Sequence, residues 1–422
     1  MRSTVFRLLA TFSAAVLSAC SGGGSSESPP VNVVAAAEDG RAVVTWNVQG
    51  GNEYWLFSAS NPALTATTWL NFADGRAIVN ATSPNYVCGL ANDTRYYFTL
   101  NARSGNAGGG EGSPLVSATP RSAGQQWSAG SPLGADLTAV GRVALQTCIA
   151  NRPPTSTFVA VGAGAKIFST SGAKPGTWAA ATVPTGFVAD LHGVAGRNNG
   201  VNTTAAVLFV AVGAGSATLV SNDVATWTAG TAFDAARPTL RAVTLVDSFV
   251  AVGDGGTIRS SGNGVDWTDL TSNTSANLRA IAVGDGRIVA VGDGGTIVTS
   301  TNGNAWSVQT FAEAGDLVGV AFGDRDNINT FVAIGSGGAT VVSTDSGATW
   351  SVRRPADGVA LRAISYTSAF AMVAADGQVY RSARGLDWLG PITSGTTGLS
   401  ALTNDGFGFI AVGAGGANGT SY

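Results

Sequence analysis

The chain has 422 residues, of which 45% are hydrophobic and 12% are charged, with 58 glycines and a net charge of −3. This length predicts two or three domains with an ample buried core, and glycines spread between apolar runs are typical of turns between short strands. The sequence has no block of Lys or Arg, which argues against a nucleic-acid surface, so we expect no nucleic-acid partner.

Residues 1–20 have the pattern of an export signal. Arg2 and Arg7 precede the apolar run 8–17, which is too short to span a bilayer. Residues 21–30, SGGGSSESPP, then predict a flexible tether.

The signal ends in Leu17-Ser18-Ala19-Cys20, which resembles the lipobox of bacterial lipoproteins. The resemblance implies cleavage before Cys20 and lipidation of its thiol, and Ser21 in the next position implies sorting to the outer membrane. We therefore expect an exported protein, anchored by lipid at the bacterial outer membrane or cell surface. The alternative is an ordinary signal that is cleaved nearby, with Cys20 discarded.

Two further cysteines, Cys88 and Cys148, fall in different predicted domains. An oxidising compartment would allow a disulfide between them. Two unpaired thiols packed as small apolar residues are the alternative.

Residues 31–120 alternate between apolar and polar positions in short runs separated by turn residues, which predicts a small antiparallel β-sandwich. Trp46, Leu90 and Tyr96, with the closing run SPLVSATP, resemble a fibronectin type III domain. The turn from Leu90 to Tyr96 looks like the tyrosine corner of that family, and the resemblance implies a spacer. Trp55 and Trp69 are either platforms for sugar stacking or part of a thin core.

Residues 121–422 repeat one unit seven times at an interval near 40 residues, and four short strands per unit at this period predict a seven-bladed β-propeller. An opening strand starts at Leu137, Leu191, Leu240, Leu278, Leu317, Leu361 and Leu399. A second strand starts at Phe158, Phe209, Phe249, Ile288, Phe331, Phe370 and Phe409. Each unit also has a tryptophan: Trp127, Trp178, Trp227, Trp267, Trp306, Trp350 and Trp388.

The tryptophan of the first repeat precedes its opening strand, and no tryptophan follows the last repeat. Gln126 to Pro132 should therefore supply the outer strand of the blade that Leu399 to Tyr422 begins. The pairing of the two ends would close the ring and leave no unpaired edge at the seam.

Ser343-Thr344-Asp345-Ser346-Gly347-Ala348-Thr349-Trp350 matches the Asp-box (BNR) pattern S-x-D-x-G-x-x-W, and the other repeats carry degenerate forms. The Asp accepts hydrogen bonds from turn N–H groups, so we interpret Asp345 as structural. By these marks the domain resembles the sialidase-like Asp-box propellers, and within them the photosystem II assembly and stability factors. That resemblance implies a non-enzymatic role in which the propeller docks on another protein.

One set of residues is a candidate binding site. The second position of the opening strands holds His192, Arg241, Arg279 and Arg362, with Thr138, Val318 and Ser400 in the remaining repeats. Asp254, Asp293 and Asp376 follow the second strands of the three repeats that carry Arg. Two interpretations remain open: an anion-binding ring, or Arg–Asp pairs within each blade.

We expect no metal and no cofactor. The chain has a single histidine, and the Asp-containing run 323–327 is more typical of solvated charge than of a calcium loop. The propeller region has one glutamate, Glu313, and lacks the Arg-Ile-Pro motif of sialidases.

The sequence thus predicts a cell-envelope lipoprotein whose propeller is a binding or assembly scaffold for a protein or glycan. The alternative is a glycoside hydrolase or lyase with Asp carboxylates in the central depression.

Overall fold

The computed structural model describes residues 26–105, 107–146, 155–198, 207–231 and 234–422. These residues form strands and short 3-10 turns, so the protein is all-β as predicted. They divide into two compact units, residues 26–37 with 42–119, and residues 38–41 with the rest of the chain from 120. Within the described ranges no helix has both the length and the apolar character needed to cross a membrane. The predicted signal and Cys20 lie outside the described residues.

The first unit is built from two antiparallel sheets around one core. One sheet contains Val34–Glu38, Arg41–Thr45 and Asn85–Cys88. The other contains Ser26–Glu27, Glu53–Ala59, Arg76–Ile78, Tyr96–Arg103 and Val116–Ala118. Side chains of both sheets, such as Val44 and Leu56, share a buried cluster.

The turn before Tyr96 is held by a side-chain hydrogen bond. The hydroxyl of Tyr96 accepts a hydrogen bond from the backbone N–H of Ala91 at 3.2 Å. Leu90 and Tyr96 are both buried in the core of this unit. The bond therefore fixes the chain where it enters the strand Tyr96–Arg103.

Trp55 and Trp69 are half-buried rather than exposed. They pack with Phe57 and Leu64 in a second apolar cluster, and the guanidinium of Arg103 lies 3.6 Å from the centre of the Trp55 ring. The structure thus favours the packing role of these tryptophans over the sugar-stacking role.

Cys88 is disulfide-bonded. Cys20 and Cys148, the two other cysteines of the sequence, lie outside the described residues. The alternative of an unpaired thiol is therefore wrong for Cys88, whereas its pairing with Cys148 stays a prediction.

The second unit is a β-propeller whose described residues form seven four-stranded antiparallel sheets. The first strands are Leu137–Gln146, Leu191–Asn198, Leu240–Leu245, Leu278–Gly284, Leu317–Arg325, Leu361–Tyr366 and Leu399–Asn404. The second strands are Thr155–Gly162, Val207–Gly213, Phe249–Gly253, Arg287–Gly292, Ile328–Gly335, Phe370–Ala374 and Phe409–Gly413. The third strands are Ile167–Gly172, Thr218–Ser221, Ile258–Ser261, Thr296–Ser300, Thr340–Ser343, Gln378–Ser382 and Asn418–Ser421. The fourth strands are Ala179–Ala180, Thr228–Ala229, Thr268–Leu270, Ser307–Thr310, Ser351–Arg353, Leu389–Thr393 and Ser128–Ala129.

The seven predicted starts of the first strands are confirmed, whereas four of the second strands begin earlier than predicted. The second strands are apolar at nearly every position because both of their faces are covered. Phe249–Gly253, for example, is buried throughout. Phe249 packs with Leu240 and Val210 of the neighbouring strands, so each sheet contributes to the core of the next.

The two ends of the propeller pair as predicted. Ser128 and Ala129 pair antiparallel with Thr420 and Gly419, so the outer strand of the seventh sheet comes from the start of the unit. The ring of Trp127 stacks on that of Phe409, with centroids 6.5 Å apart.

Hydrogen bonds also connect some neighbouring sheets of the ring. The carboxylate of Asp190, which precedes the second sheet, accepts from the backbone N–H of Gly164 in the first sheet at 2.8 Å. Asn277 and Asp316 accept in the same way from Gly255 and Gly294, both at 2.9 Å. Asp136, before the first sheet, accepts from Gly415 of the seventh at 2.7 Å, so the same kind of bond is made across the seam.

The loop that matches the Asp-box pattern is held by side-chain oxygens. The Asp345 carboxylate accepts from the backbone N–H groups of Ala348 and Thr349 at 3.1 and 2.9 Å. Trp350 donates its indole N–H to the carbonyl of Gly347 at 3.2 Å. Asp345 therefore has a structural role, because its carboxylate holds the turn.

The third repeat has an equivalent loop that starts at Ser261, whose hydroxyl accepts from Gly264 at 2.8 Å. The Asn263 side chain accepts from the backbone N–H groups of Val265 and Asp266, as Asp345 does in its own loop. Asn302 makes the corresponding bonds to Asn304 and Ala305 in the fourth repeat. A neutral amide can therefore do what the carboxylate does.

We predict that Asp345→Ala lowers the free energy of unfolding by about 1–2 kcal/mol, the usual effect of losing a side-chain cap. Asp345→Asn should lower it by less at pH 7, because Asn263 and Asn302 show that an amide oxygen accepts the same turn N–H groups. Chemical denaturation of the three proteins measures the difference, and equal losses in both variants would contradict this explanation.

The same carboxylate makes stability depend on pH. Burial alone would raise the pKa of Asp345, but bonds from Thr349, Ser343 and Ala348 lower it from 3.8 to about 2. Its stabilising effect is therefore complete above pH 3.8 and is lost as the pH falls towards about 2. Asp345→Asn should lose that part of the acid sensitivity.

Candidate binding site at the central cavity

The first strands of all seven sheets surround one cavity of about 210 Å³, called the central cavity below. Its walls are small and apolar side chains such as Ala139, Val243 and Ile281. His192, Arg241, Arg279 and Arg362 also line it, so the structure brings together the four basic residues that the sequence placed in equivalent positions.

A β-bulge occurs in every first strand, always directly after its opening leucine. In the third sheet, for example, Leu240 pairs with Gly253 and Ala242 with Val252, which leaves Arg241 unpaired between them. A bulge of this kind turns a side chain out of the regular alternation. We call the seven bulged residues the bulge ring: Thr138, His192, Arg241, Arg279, Val318, Arg362 and Ser400.

Two of the three predicted Arg–Asp pairs are present. Arg241 donates to Asp254 through Nε and through Nη2, the latter at 3.0 Å. Arg279 donates through Nε to Asp293, which also accepts from the Asn277 amide at 2.8 Å. Burial alone would raise the pKa of Asp293, but the bonds from Arg279 and Asn277 outweigh it and lower the pKa below 3.8.

The third predicted pair, Arg362 with Asp376, is wrong. In the third and fourth sheets the Asp begins a 3-10 turn, Asp254–Gly256 and Asp293–Gly295. Asp376 lies one position later in a different turn, where its carboxylate accepts from the backbone N–H of Gln378 at 3.0 Å. Arg362 is exposed, and the ion pairs of the described residues do not include it.

His192 is the one histidine of the sequence, and it lies beside these arginines. Burial lowers its pKa from 6.5, and the charge of Arg241 lowers it further, against the opposing charges of Asp190 and Asp254. The imidazole is therefore neutral at pH 7.

We predict that the imidazole of His192 titrates below pH 6.5, as measured by its NMR chemical shifts. Since the unfolded chain binds the proton more readily, stability should fall as the pH drops below 6.5, down to the folded pKa. His192→Asn should remove this component. A measured pKa at or above 6.5 would show that the ring is not held beside the Arg241 charge as described.

The lining of the central cavity, as far as the structure describes it, contains no carboxylate. In the same ranges, no three His, Cys, Asp or Glu side chains lie close enough together to hold a metal ion. In the run 323–327, Asp326 and Asn327 take positive φ at a hairpin tip, and Asp326 pairs with Arg384. A glycosidase needs two carboxyl groups that converge on one bond, so the geometry gives the hydrolase alternative no support.

The β-bulges and the hydrogen bonds between sheets were not predicted from the sequence. Asp or Asn stands directly before the opening leucine in four repeats, as Asp136, Asp190, Asn277 and Asp316. This recurrence was a signal for the bonds between sheets, although their acceptors and donors lie in different repeats.

The fold and this cavity define a β-propeller with basic side chains around its central cavity. No family model matches the sequence, and no curated protein matches it.

Solved structures share the fold. YCF48 bound to a D1 peptide has a TM-score of 0.54 at 15% identity, over 70% of this chain and 96% of that chain. YCF48 from Cyanidioschyzon merolae has a TM-score of 0.52 at 15% identity, over 70% and 98%. The WD40 repeats of RRP9 have a TM-score of 0.54 at 10% identity, over 71% and 98%. At these identities the likeness establishes the propeller fold alone.

Proposed function

We propose that this protein is a non-enzymatic binding or assembly scaffold that holds an acidic segment of a protein partner over the central cavity. The observation that carries the proposal is the bulge ring, which directs Arg241, Arg279 and Arg362 to one cavity whose lining has no carboxylate. Two of these arginines are already paired with Asp, whereas Arg362 is exposed and has no ion pair among the described residues. Arg362 is thus the residue with the most charge left to offer an acidic partner.

Two further considerations support a protein partner. A cavity of about 210 Å³ is small for a drug-sized ligand but suits one or two side chains of a docked segment. YCF48, which shares the fold, has been solved with a peptide bound.

The remaining sequence-based expectations belong to the same proposal. The first unit acts as a fibronectin type III spacer, which the two-sheet core and the Tyr96 bond support. The loops such as Ser343–Trp350 are Asp-boxes, and lipidation of Cys20 tethers the protein to the outer membrane or cell surface of a bacterium.

A charge reversal tests the binding site. Arg362→Glu should reduce recovery of the partner from envelope extracts by about tenfold, because it turns attraction into repulsion. Lys166→Glu is the matched control, since Lys166 is also exposed and the change in net charge is the same. If Arg362→Glu recovers the wild-type protein's partner as well as Lys166→Glu does, binding at the central cavity is contradicted.

His192 supplies an independent measure of the same event. An acidic segment next to Arg241 offsets part of its charge, so the pKa of His192 should rise when the captured partner is added. A partner that binds without moving this pKa lies elsewhere on the protein.

The membrane anchor is tested separately. Cys20→Ser should abolish labelling by a fatty-acid analogue and move the protein from the membrane fraction to the soluble fraction of cells. Unchanged fractionation without label would contradict the lipid anchor and leave the binding site untouched.

A further inference from the structure

A second cavity lies between the second and third sheets of the propeller, away from the bulge ring. Its volume is about 630 Å³, within the range of small-molecule sites. We call it the Arg259 cavity. Its charged lining residues are Arg237, Arg259 and Asp269.

Arg259 occupies a position that is apolar in other sheets. It pairs with Ala251 of the second strand, and the residues in the same register are Leu219, Val298 and Val341. All three are fully buried, and the side chain of Arg259 is itself only 10% exposed. A buried guanidinium in place of an aliphatic side chain is costly unless its N–H groups have partners.

The bonds of Arg259 leave part of its guanidinium for the cavity. Nε donates to Asp269 Oδ1 at 2.6 Å, while the Nη groups make no hydrogen bond within the described residues. Asp269 is 79% exposed, so water weakens this pair. Arg237 also lines the cavity, and its Nε lies 3.5 Å from the Asp234 carboxylate, with both side chains about half exposed, so this ion pair is weak. The lining itself holds two guanidinium groups and one carboxylate.

The uncharged lining offers mainly acceptors. The hydroxyls of Ser216, Thr257 and Ser272 donate their protons to the carbonyls of Pro238, Asp254 and Thr274 at 2.8, 2.7 and 3.1 Å. The Asn273 amide donates to the carbonyl of Trp306 at 2.7 Å. Ser272 Oγ already accepts from the Thr274 N–H at 3.3 Å, so the lone pairs of the Ser216 and Thr257 hydroxyls and the Asn273 amide oxygen are the main groups that a ligand can use.

We propose that the Arg259 cavity binds a sugar acid. The two arginines match a carboxylate, and the acceptors around them match several hydroxyl donors on the same small molecule. A simple anion would leave the acceptors unused, and a neutral sugar would leave the Nη groups of Arg259 without a charged partner. This site is separate from the docking function proposed above.

Calorimetric titration with galacturonate and glucuronate, against galactose and inorganic phosphate, tests this assignment on the purified protein. At least one uronate should bind saturably, and more tightly than galactose or phosphate. Arg259→Leu, which introduces the residue found at position 219, should weaken that binding by about tenfold or more while a cooperative melt is kept. Arg95→Gln, at an exposed arginine of the first unit, is the control and should bind as the wild type does.

The outcomes separate this proposal from the docking function. No binding of either uronate, equal binding of phosphate, or unchanged binding by folded Arg259→Leu would each overturn the sugar-acid site. Loss of uronate binding in Arg362→Glu with retention in Arg259→Leu would place the sugar at the central cavity and also overturn it.

Discussion

Removal of residues 408–422 is expected to abolish the cooperative unfolding transition of the propeller. The deletion takes away the second and third strands of the seventh sheet, Phe409–Gly413 and Asn418–Ser421. The outer strand Ser128–Ala129 would then have no partner, and Leu399–Asn404 would lose its neighbour. Two unpaired strand edges at the seam would also promote aggregation.

The size of the effect follows from burial. Phe409, Ile410 and Val412 are at most 1% exposed, and each such side chain contributes about 1.5–3 kcal/mol when buried. Together with the lost strand pairing, this is comparable to the whole stability of a domain, about 5–15 kcal/mol. Differential scanning calorimetry measures the transition, and a synthetic peptide of residues 408–422 added in excess should restore part of it. A melt unchanged by the deletion would refute the shared seventh sheet.

The strand order of the propeller was predictable because the same pattern recurs in seven repeats. The opening leucine, the Phe-Val-Ala-Val-Gly strand and the tryptophan each recur, so an error in one repeat is corrected by the others. The seam was predictable for the same reason. The propeller begins with a tryptophan that has no repeat before it and ends with a repeat that has no tryptophan after it, and pairing of the two ends in one sheet explains both.

The geometry of the candidate site was less predictable. Leu240-Arg241-Ala242-Val243 alternates like a regular strand, and only the register of pairing reveals that Arg241 is bulged. The Arg362–Asp376 pair failed because a shift of one residue changes the type of turn, and a turn sets where a carboxylate points. Arg259 resembles an ordinary cross-strand partner of Asp269 in the sequence, and its burial shows only once the second and third sheets are packed together.

A single methyl group at the seam provides the second test of closure. Gly416 has a φ of +79°, and a Cβ there would lie 2.3 Å from the backbone nitrogen of Leu133 and 2.4 Å from that of Gly134. The carbonyl of Gly416 also accepts from the Leu133 N–H at 3.0 Å. We expect Gly416→Ala to destabilise the propeller by about 4 kcal/mol or more, since backbone must move to relieve the clash.

Gly415→Ala is the matched control, because Gly415 also has positive φ, +62°, but a Cβ there meets nothing within 4 Å. Its cost should be about 1–2 kcal/mol, that of an alanine in the left-handed region. The conformation alone does not demand glycine at position 416, since Ala165 and Ser216 take φ of 58° and 55° at the same point of the first two sheets.

Glycine is needed at position 416 because another segment of backbone lies too close for a Cβ. In the third and fourth sheets, a Cβ on Gly256 or Gly295 would lie 1.9 or 2.0 Å from the carbonyl oxygen of Thr274 or Phe311, which follow the outer strand of the same sheet. In the seventh sheet, Leu133 and Gly134 take the place of that segment. Denaturation midpoints that are equal for Gly416→Ala and Gly415→Ala would mean that residues 128–134 do not pack against Gly416 in solution, and that the ring is not closed there.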